Sequence, residues 1–161
     1  MFSLFRPDIE VSGVIDLTVE RLRVAGIKAL LLDVDSTLKR YGNSDPAPEV
    51  IDWLERMRAA GLGLYLISNG GGVRIQKFSQ NVQIPFIAPA MKPLPFAIHR
   101  VIKSMNYEKK TTAMVGDQLF TDVLAGKLAG ILTILVKPQG EKEEPWFARI
   151  KRPLEKLFLK R

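Results

Sequence analysis

Two aspartates stand one residue apart at the end of an apolar run. The run, Ala29–Leu32, is followed by Asp33 and Asp35, and the hydroxyl residue Thr37 comes two positions later. A run without polar alternation is typical of a strand buried on both faces, as in a parallel sheet covered by helices. At the carboxyl end of such a strand, side chains face the crevice in which α/β proteins bind ligands. Two carboxylates held close together there repel each other, so the pair indicates a cation such as Mg²⁺, which binds carboxylate oxygens together with water and phosphate.

Three later segments carry polar groups in the same position, directly after a predicted strand. They hold Ser68 and Asn69, then Lys92, and then Asp117 and Asp122. Because the carboxyl ends of parallel strands meet at one edge of a sheet, we expect these side chains to converge on the first aspartate pair. Carboxylates for a metal, a hydroxyl and an amide for oxyanions, and one ammonium are the groups that a phosphoryl-transfer site needs.

This set of groups predicts hydrolysis of a phosphate ester in two steps. One aspartate attacks phosphorus and forms an acyl-phosphate, which water then hydrolyses. A neighbouring carboxyl group protonates the leaving oxygen and later activates the water. Mg²⁺ offsets the repulsion between carboxylate and phosphate.

Strands that alternate with helices must hold these groups in place. Apolar runs predict strands at 27–32, 62–67, 86–87, 112–115 and 131–136. Helical spacing and end signals predict helices at 17–25, 45–60, 73–80, from 91 onward and at 121–129, with Asp45 as the cap of the second. The alternation indicates an α/β protein with a three-layer, Rossmann-like parallel sheet. Residues 1–138 form this one domain, and residues 139–161 stand outside it as a basic amphipathic tail.

The ordered motifs resemble those of the haloacid dehalogenase (HAD) superfamily of aspartate-nucleophile phosphatases. The first motif of that superfamily, DxDx[TV], is matched by residues 33–37, the second by Ser68, the third by Lys92, and the fourth by residues 116–122. All four occur in the order that the superfamily has, within residues 27–136. The resemblance therefore implies the HAD-like version of the parallel sheet.

The resemblance also implies three sets of site residues. The catalytic set is Asp33 as the nucleophile, Asp35 as the general acid and base, and Lys92. The set that binds Mg²⁺ is Asp33, the backbone carbonyl of Asp35, and Asp117, with Asp122 beside them. The set that holds the substrate is Thr37, Ser68, Asn69 and Lys92.

Members of the superfamily often cover the site with a cap domain, for which this chain has no room. Asp35 and Ser68 are separated by one loop, one helix and one strand, and Ser68 and Lys92 by one helix and a short strand. An open site stays wet unless something else covers it. The substrate is therefore expected to be presented by a membrane or a macromolecule, or else a neighbouring subunit acts as the lid.

The tail combines basic and apolar residues. Residues 145–161 contain six basic residues and one acid, a net +5 of the +7 carried by the whole chain. A helical face is shared by Trp146, Ile150, Leu154, Leu157 and Phe158, with a bend or restart at Pro153. Basic amphipathic segments bind anionic membrane surfaces, so the tail predicts such a contact. The alternative is a helix packed on the domain with a solvated basic face, while nucleic acid is not expected because the rest of the chain is nearly neutral.

In more detail, the chain is similar to the class IIIA branch of the superfamily, the YqeG-type family that includes mitochondrial and plastid phosphatidylglycerophosphate phosphatases. The similarity lies in Arg6-Pro7-Asp8, Gly26-Ile27-Lys28, Met91-Lys92-Pro93 and residues 115–123. Ser36 is a departure, because relatives often carry asparagine in DxDNT. The resemblance implies removal of the terminal phosphate of phosphatidylglycerophosphate, which yields phosphatidylglycerol.

Two other functions fit part of the pattern. One is a soluble phosphatase for phosphosugars or phosphoproteins, and the other is a non-catalytic phosphoacceptor module similar to a receiver domain. The chain of 161 residues has no cysteine, and residues 1–8 lack the apolar core of a signal peptide. The expected compartment is the cytoplasm or the membrane surface that faces it.

Overall fold

A computed structural model of the protein describes residues 2–140, 144 and 146–159, without the side chains of residues 2 and 146–148. The strands are β1 (Ile9–Val11), β2 (Ala29–Leu32), β3 (Gly63–Ile67), β4 (Phe86–Ile87), β5 (Thr112–Gly116) and β6 (Leu132–Val136). The helices are α1 (Val19–Val24), α2 (Pro48–Ala59), α3 (Gly72–Val82), α4 (Phe96–Ser104), α5 (Leu124–Ala129) and α6 (Trp146–Leu159). A π-helical turn, Leu119–Val123, leads into α5.

The six strands form one parallel sheet in the order β1, β6, β5, β2, β3, β4. Strand β2 lies inside the sheet, where Leu31 pairs with Met114 of β5 and Tyr65 of β3. Leu30 and Leu32 point into a core on one face, and Leu31 points into a second core on the other. Both faces of β2 are thus covered, which is why its sequence shows no polar alternation. The predicted three-layer α/β architecture is confirmed.

Helices cover the two faces of the sheet with separate apolar cores. The first core contains Leu22 of α1, Trp53 of α2 and Phe78 of α3. The second contains Ile98 of α4 and Ala125 of α5. This arrangement leaves the carboxyl edge of the sheet open between the layers, where the predicted site residues lie.

Four details differ from the sequence-based predictions. The helix expected from residue 91 begins only at Phe96, since Met91 has a φ angle of 57°, outside the helical region. Thr18 caps α1 as its spacing suggests, with Oγ1 accepting the Arg21 amide at 3.1 Å, but Asp45 caps no helix. Its carboxylate instead accepts a hydrogen bond from the Asn81 amide at 2.6 Å. The edge strand β1 is not predicted because three residues are too few to show a pattern. The helix expected at 121–129 begins at Leu124 instead, because Leu119–Val123 form the π-helical turn.

Helix α6 packs against the domain through one face. Phe158 meets Phe5 and Phe120 in an aromatic cluster with ring centroids 5.2–5.6 Å apart. Arg152 and Glu155 of this helix are also buried, whereas Ile150 and Leu154 are more than half exposed. Parts of the predicted amphipathic tail lie outside the described residues, namely Pro145, the Trp146 side chain, Lys160 and Arg161. No helix within the described ranges is long and apolar enough to cross a membrane.

Candidate active site

A buried lysine joins two of the acids at the carboxyl edge of the sheet. The Nζ atom of Lys92 lies 2.7 Å from Asp33 Oδ1 and 2.6 Å from Asp122 Oδ1, and it also donates to the Ile67 carbonyl at 2.8 Å. Asp33 follows β2, Asp122 lies in the π-helical turn after β5, and Lys92 lies between β4 and α4. Three segments distant in sequence therefore meet at one point, as the parallel topology requires.

A third buried acid, Asp117, lies on the other side of Asp33. The Thr37 hydroxyl connects the two, with Oγ1 3.3 Å from Asp33 Oδ2 and 3.0 Å from Asp117 Oδ1. Asp33, Asp117 and Asp122 each offer an oxygen, and these oxygens all lie within 4.8 Å of one another. Carboxylate oxygens at this spacing are the ligands that a hard cation such as Mg²⁺ prefers. The donor set thus fits a divalent metal ion.

The protonation of the site reflects burial opposed by ion pairing. Burial raises the pKa of Asp33 to about 6, although the Lys92 ammonium acts in the opposite direction. Burial also raises the pKa of Asp117 well above its usual range, and the negative charges of Asp33 and Asp122 add to that effect. Burial alone would lower the pKa of Lys92, but Asp122 and Asp33 raise it above its ordinary value. Lys92 therefore stays protonated, and its single positive charge does not balance the three buried carboxyl groups of the site.

A glycine makes room for Asp122. Gly116 ends β5, and a Cβ atom at that position would lie 2.2 Å from the Asp122 carboxyl group. Asp122 Oδ2 also accepts the Gln118 amide at 3.0 Å. The π-helical turn that carries Asp122 is a form often found at functional sites. Together these features aim Asp122 at Lys92.

Ser68 and Asn69, which follow β3, differ in where their side chains point. Ser68 is buried, and its Oγ accepts the Gly70 amide at 3.0 Å. The Asn69 amide group pairs with the backbone of Lys92 in both directions, donating to its carbonyl and accepting from its N–H at 2.8 Å each. In this structure Asn69 thus fixes the position of the lysine.

Asp35 lies at the mouth of the site and contacts two cations. Its two oxygens accept hydrogen bonds from the Arg74 guanidinium at 2.7 Å each, and Oδ1 also accepts from Lys39 Nζ at 2.8 Å. Burial would raise the pKa of the Asp35 carboxyl group, but Arg74 and Lys39 lower it below its usual value. Asp35 is therefore ionised in this arrangement. Arg74 is nearly half exposed and has room to leave it.

Helix α6 supplies an arginine that contacts Asp117. The Arg152 guanidinium donates to Asp117 Oδ2 and, at 2.7 Å, to the Asp117 carbonyl oxygen. Glu144 accepts two further hydrogen bonds from Arg152. Glu155 accepts the backbone amides of the π-helical turn at Leu119 and Phe120, at 2.9 and 3.3 Å.

Every predicted site residue lies at this edge of the sheet, but the charged residues around it are not predicted from the sequence. Lys39 and Arg74 follow the first and second motifs at short distances, so a search for cations near Asp35 would have found them. In the sequence, Arg152 and Glu155 contribute only to the net charge of the tail, and nothing distinguishes Glu144. The contacts of Arg152 and Glu155 with residues 117–120 span 35 or 36 positions, which no local pattern reveals.

The departure at Ser36 has a visible structural counterpart. Ser36 has a φ angle of 63°, in the left-handed region that asparagine adopts more readily than serine. Its hydroxyl is buried and has no hydrogen-bond partner among the described residues. Asp33, Asp35 and Thr37 on either side keep the contacts given above, so the departure leaves the arrangement of the first motif intact.

Comparison with known proteins gives a consistent family. A sequence model described as HAD-hydrolase-like matches residues 90–154. The probable phosphatase YqeG of Bacillus subtilis is 34% identical over 155 residues, which cover 96% of this chain and 90% of that protein. The chloroplast and mitochondrial phosphatidylglycerophosphate phosphatase 1 of Arabidopsis thaliana is 27% identical over 164 residues. That match covers 96% of this chain but only 47% of the plant protein.

A solved structure shares the fold. The 3-deoxy-D-manno-octulosonate 8-phosphate phosphatase of Moraxella catarrhalis, crystallised with magnesium and phosphate ions and the sugar acid, superposes with a TM-score of 0.55 at 16% identity. The superposition covers 89% of this chain and 92% of that one. The parallel sheet, the four motifs at its carboxyl edge and the extent of the match to YqeG agree, and the chain belongs to the HAD superfamily, in its YqeG-type family of phosphatases.

Proposed function

We propose that the protein is a Mg²⁺-dependent phosphomonoester hydrolase that works through a phosphorylated aspartate and acts on phosphatidylglycerophosphate. The observation that carries the proposal is the position of Asp33, which ends the central strand between Lys92 and the Thr37–Asp117 pair. A carboxylate so placed has a cation to screen an approaching phosphate and neighbours that fix its orientation.

The reaction proceeds in two displacements. Once Arg74 has released it, Asp35 takes up a proton from solvent. An oxygen of Asp33 then attacks phosphorus, and the bond from phosphorus to the ester oxygen breaks while Asp35 gives that oxygen its proton. Water then attacks the phosphorus of the aspartyl phosphate as Asp35 takes its proton. The bond between phosphorus and Asp33 breaks, which releases inorganic phosphate and restores both carboxyl groups.

The other site residues hold the reacting groups. Lys92 and Ser68 bind phosphoryl oxygens, and Asn69 acts through the backbone of Lys92, which it clamps. Thr37 orients Asp33 and Asp117. A Mg²⁺ ion would be held by Asp33, Asp117 and the Asp35 carbonyl, with Asp122 beside it, and would screen the charge of the phosphate.

Arg74 must release Asp35 before Asp35 can transfer a proton. Both Asp35 oxygens are occupied by Arg74 in the free protein, so neither faces a leaving oxygen. Arg74 is exposed enough to turn towards the phosphate, which competes for the same guanidinium. Binding of the substrate would therefore free the acid at the time it is needed.

Two features support a lipid substrate. In residues 36–92, which the structure describes in full, only α2, β3, α3 and β4 interrupt the motifs, so no inserted cap encloses the site. A cleft between α6 and the end of β6 is lined by Asp117 and Arg152 and by apolar residues that include Val11, Leu135 and Val136. Such a cleft offers a surface to the apolar part of a lipid, as a phosphatidylglycerophosphate phosphatase requires.

The first test measures phosphate release from phosphatidylglycerophosphate, a panel of phosphosugars and a panel of phosphopeptides. We expect kcat/KM for the lipid to exceed that for the other substrates by about 100-fold or more, because only the lipid engages both the site and the apolar surface around it. Removal of divalent ions with a chelator should stop the reaction, and Mg²⁺ should restore it. A preference for a phosphosugar or phosphopeptide would replace the lipid with a soluble substrate and leave the reaction type intact.

The second test concerns the exposed face of α6. Ile150, Leu154 and Leu157 are 58%, 53% and 57% exposed and lie one above the other at helical spacing. The basic residues Arg149 and Lys151 flank this stripe and are exposed as well. Apolar residues edged by cations suit an anionic bilayer surface, to which each basic residue adds about 1 kcal/mol.

We expect the full-length protein to sediment with vesicles that contain phosphatidylglycerol. The triple variant I150Q/L154Q/L157Q, which keeps the helix-forming tendency and the charge of α6, should bind them at least about tenfold more weakly. The matched control V24Q/I51Q changes exposed apolar residues on α1 and α2 and should bind like the wild type. Equal binding by all three proteins would show that the exposed apolar stripe of α6 does not contact the membrane.

A further inference from the structure

Arg152 is the centre of a buried ionic cluster outside the four motifs. The cluster consists of Arg152, Asp117, Glu144 and Glu155, whose exposed fractions lie between 3% and 6%. Arg152 donates to the carboxylate and carbonyl of Asp117, to both oxygens of Glu144, and to Glu155 Oε2 at 3.4 Å. One guanidinium thus forms ion pairs with three carboxylates.

Attachment of α6 to the domain does not by itself require this cluster. Apolar contacts already hold the helix, through Phe158 against Phe5 and Phe120. Buried ion pairs are weak contributors to stability compared with apolar side chains of similar volume, because desolvation offsets their attraction. Because this ion pair adds little stability, Arg152 is expected to have a role other than attaching α6 to the domain.

The contacts made by Asp117 indicate what the cluster does. Arg152 binds Oδ2 of Asp117, whereas Oδ1 faces Thr37 and, beyond it, Asp33. The Nη1 atom of the same guanidinium donates to the Asp117 carbonyl oxygen. Glu155 accepts the backbone amides of Leu119 and Phe120, which begin the π-helical turn. Side chain and backbone of Asp117 are both fixed from the side of α6, with one oxygen turned towards the acid cluster.

We propose that Arg152 is a positioning residue that orients Asp117 for the divalent metal ion. This inference rests on the proposed function, in which Asp117 is a metal ligand. Hydrogen-bond partners behind a metal ligand fix its orientation, and their removal lowers metal affinity by about 10- to 100-fold. Helix α6 is then part of the catalytic unit, although its sequence carries none of the motifs.

The test measures metal affinity directly. The dissociation constant for Mn²⁺, used as a paramagnetic substitute for Mg²⁺, is determined by electron paramagnetic resonance for the full-length wild type, R152M, R152K and R149M. We expect R152M to raise this constant about 10- to 100-fold. R152K should give a smaller rise, because an ammonium keeps the charge but lacks the fork that holds two Asp117 oxygens at once. R149M changes an exposed arginine of the same helix and should match the wild type.

A kinetic measurement separates positioning from a purely structural role. If Arg152 acts on the metal site, raising the Mg²⁺ concentration should recover most of the kcat lost in R152M and R152K. An unchanged Mn²⁺ dissociation constant in both variants would overturn the inference, even if their thermal stability falls. R152K decides the question if R152M does not fold, since it retains the buried charge.

The outcomes also distinguish this inference from the proposed function. A wild type that hydrolyses substrate and binds Mn²⁺ with an affinity that R152K does not alter contradicts the role of Arg152 alone. A wild type that binds no Mn²⁺ contradicts the metal site itself, and the role of Arg152 falls with it.

Discussion

The substitution D33N is expected to abolish turnover while leaving the fold in place. Asparagine has the shape of aspartate but lacks the negative charge that attacks phosphorus, so kcat should fall on the order of 10⁴-fold or more. The side chain is buried against Lys92 and Thr37; the amide oxygen can still accept from Lys92 Nζ, and the amide nitrogen at the other position can donate to the Thr37 hydroxyl oxygen. Loss of one charge from a crowded acid cluster should leave the melting temperature close to that of the wild type or above it.

Phosphate release and thermal unfolding are measured on the same preparation. The control D45N alters an exposed aspartate just before α2 and should keep full activity. Turnover retained by D33N would remove Asp33 as the nucleophile. A wild type that becomes phosphorylated on Asp33 and releases no phosphate over many hours would instead indicate a phosphoacceptor module.

The substitution K92M is expected to damage both activity and stability. Lys92 is buried, and its ammonium forms ion pairs with the carboxylates of Asp33 and Asp122 at N–O distances of 2.7 and 2.6 Å. Methionine fills a similar volume without the charge, which leaves two buried carboxylates without their cation. Breaking a buried ion pair in this way costs about 3–5 kcal/mol of unfolding free energy.

Denaturant unfolding at several pH values tests this expectation. The loss should be largest at neutral and alkaline pH, where the carboxyl group of Asp33 is ionised, and should shrink towards acid pH as that group takes up a proton. The control K103M removes an exposed lysine from α4 and should change stability by less than about 0.5 kcal/mol. A K92M protein as stable and as active as the wild type would contradict the central position of the ammonium.

The parts of the molecule that the sequence predicts well are those with local causes. Strand β2 is buried on both faces, so its residues are apolar without exception, and Asp33 follows directly at its carboxyl end. Gly26, Gly61 and Gly130 all adopt positive φ angles where the predicted helices end, a conformation that glycine tolerates best. Convergence of the four motifs follows from the parallel order of the strands, which the alternation of elements already implies.

What the sequence does not predict depends on contacts between distant segments. Asp45 has the composition of a helix cap, but Asn81, 36 positions later, binds its carboxylate instead. Arg152 resembles the other basic residues of the tail in every local respect, and only its burial against Asp117 separates it from Arg149. Asn69 suits an oxyanion site by its chemistry, yet in the fold its amide is the right length to clamp the backbone of Lys92.

The order of these contacts along the chain has a consequence for biosynthesis. Every strand of the sheet and all four motifs precede α6, and the guanidinium that holds Asp117 comes 35 residues after it. Because a chain emerges from the ribosome with its N-terminal part first, the sheet can assemble while α6 is still being made. Asp117 and the π-helical turn acquire their final partners only after α6 has been synthesised. The nascent protein would thus have a formed sheet before the loop that carries Asp117 has all its contacts.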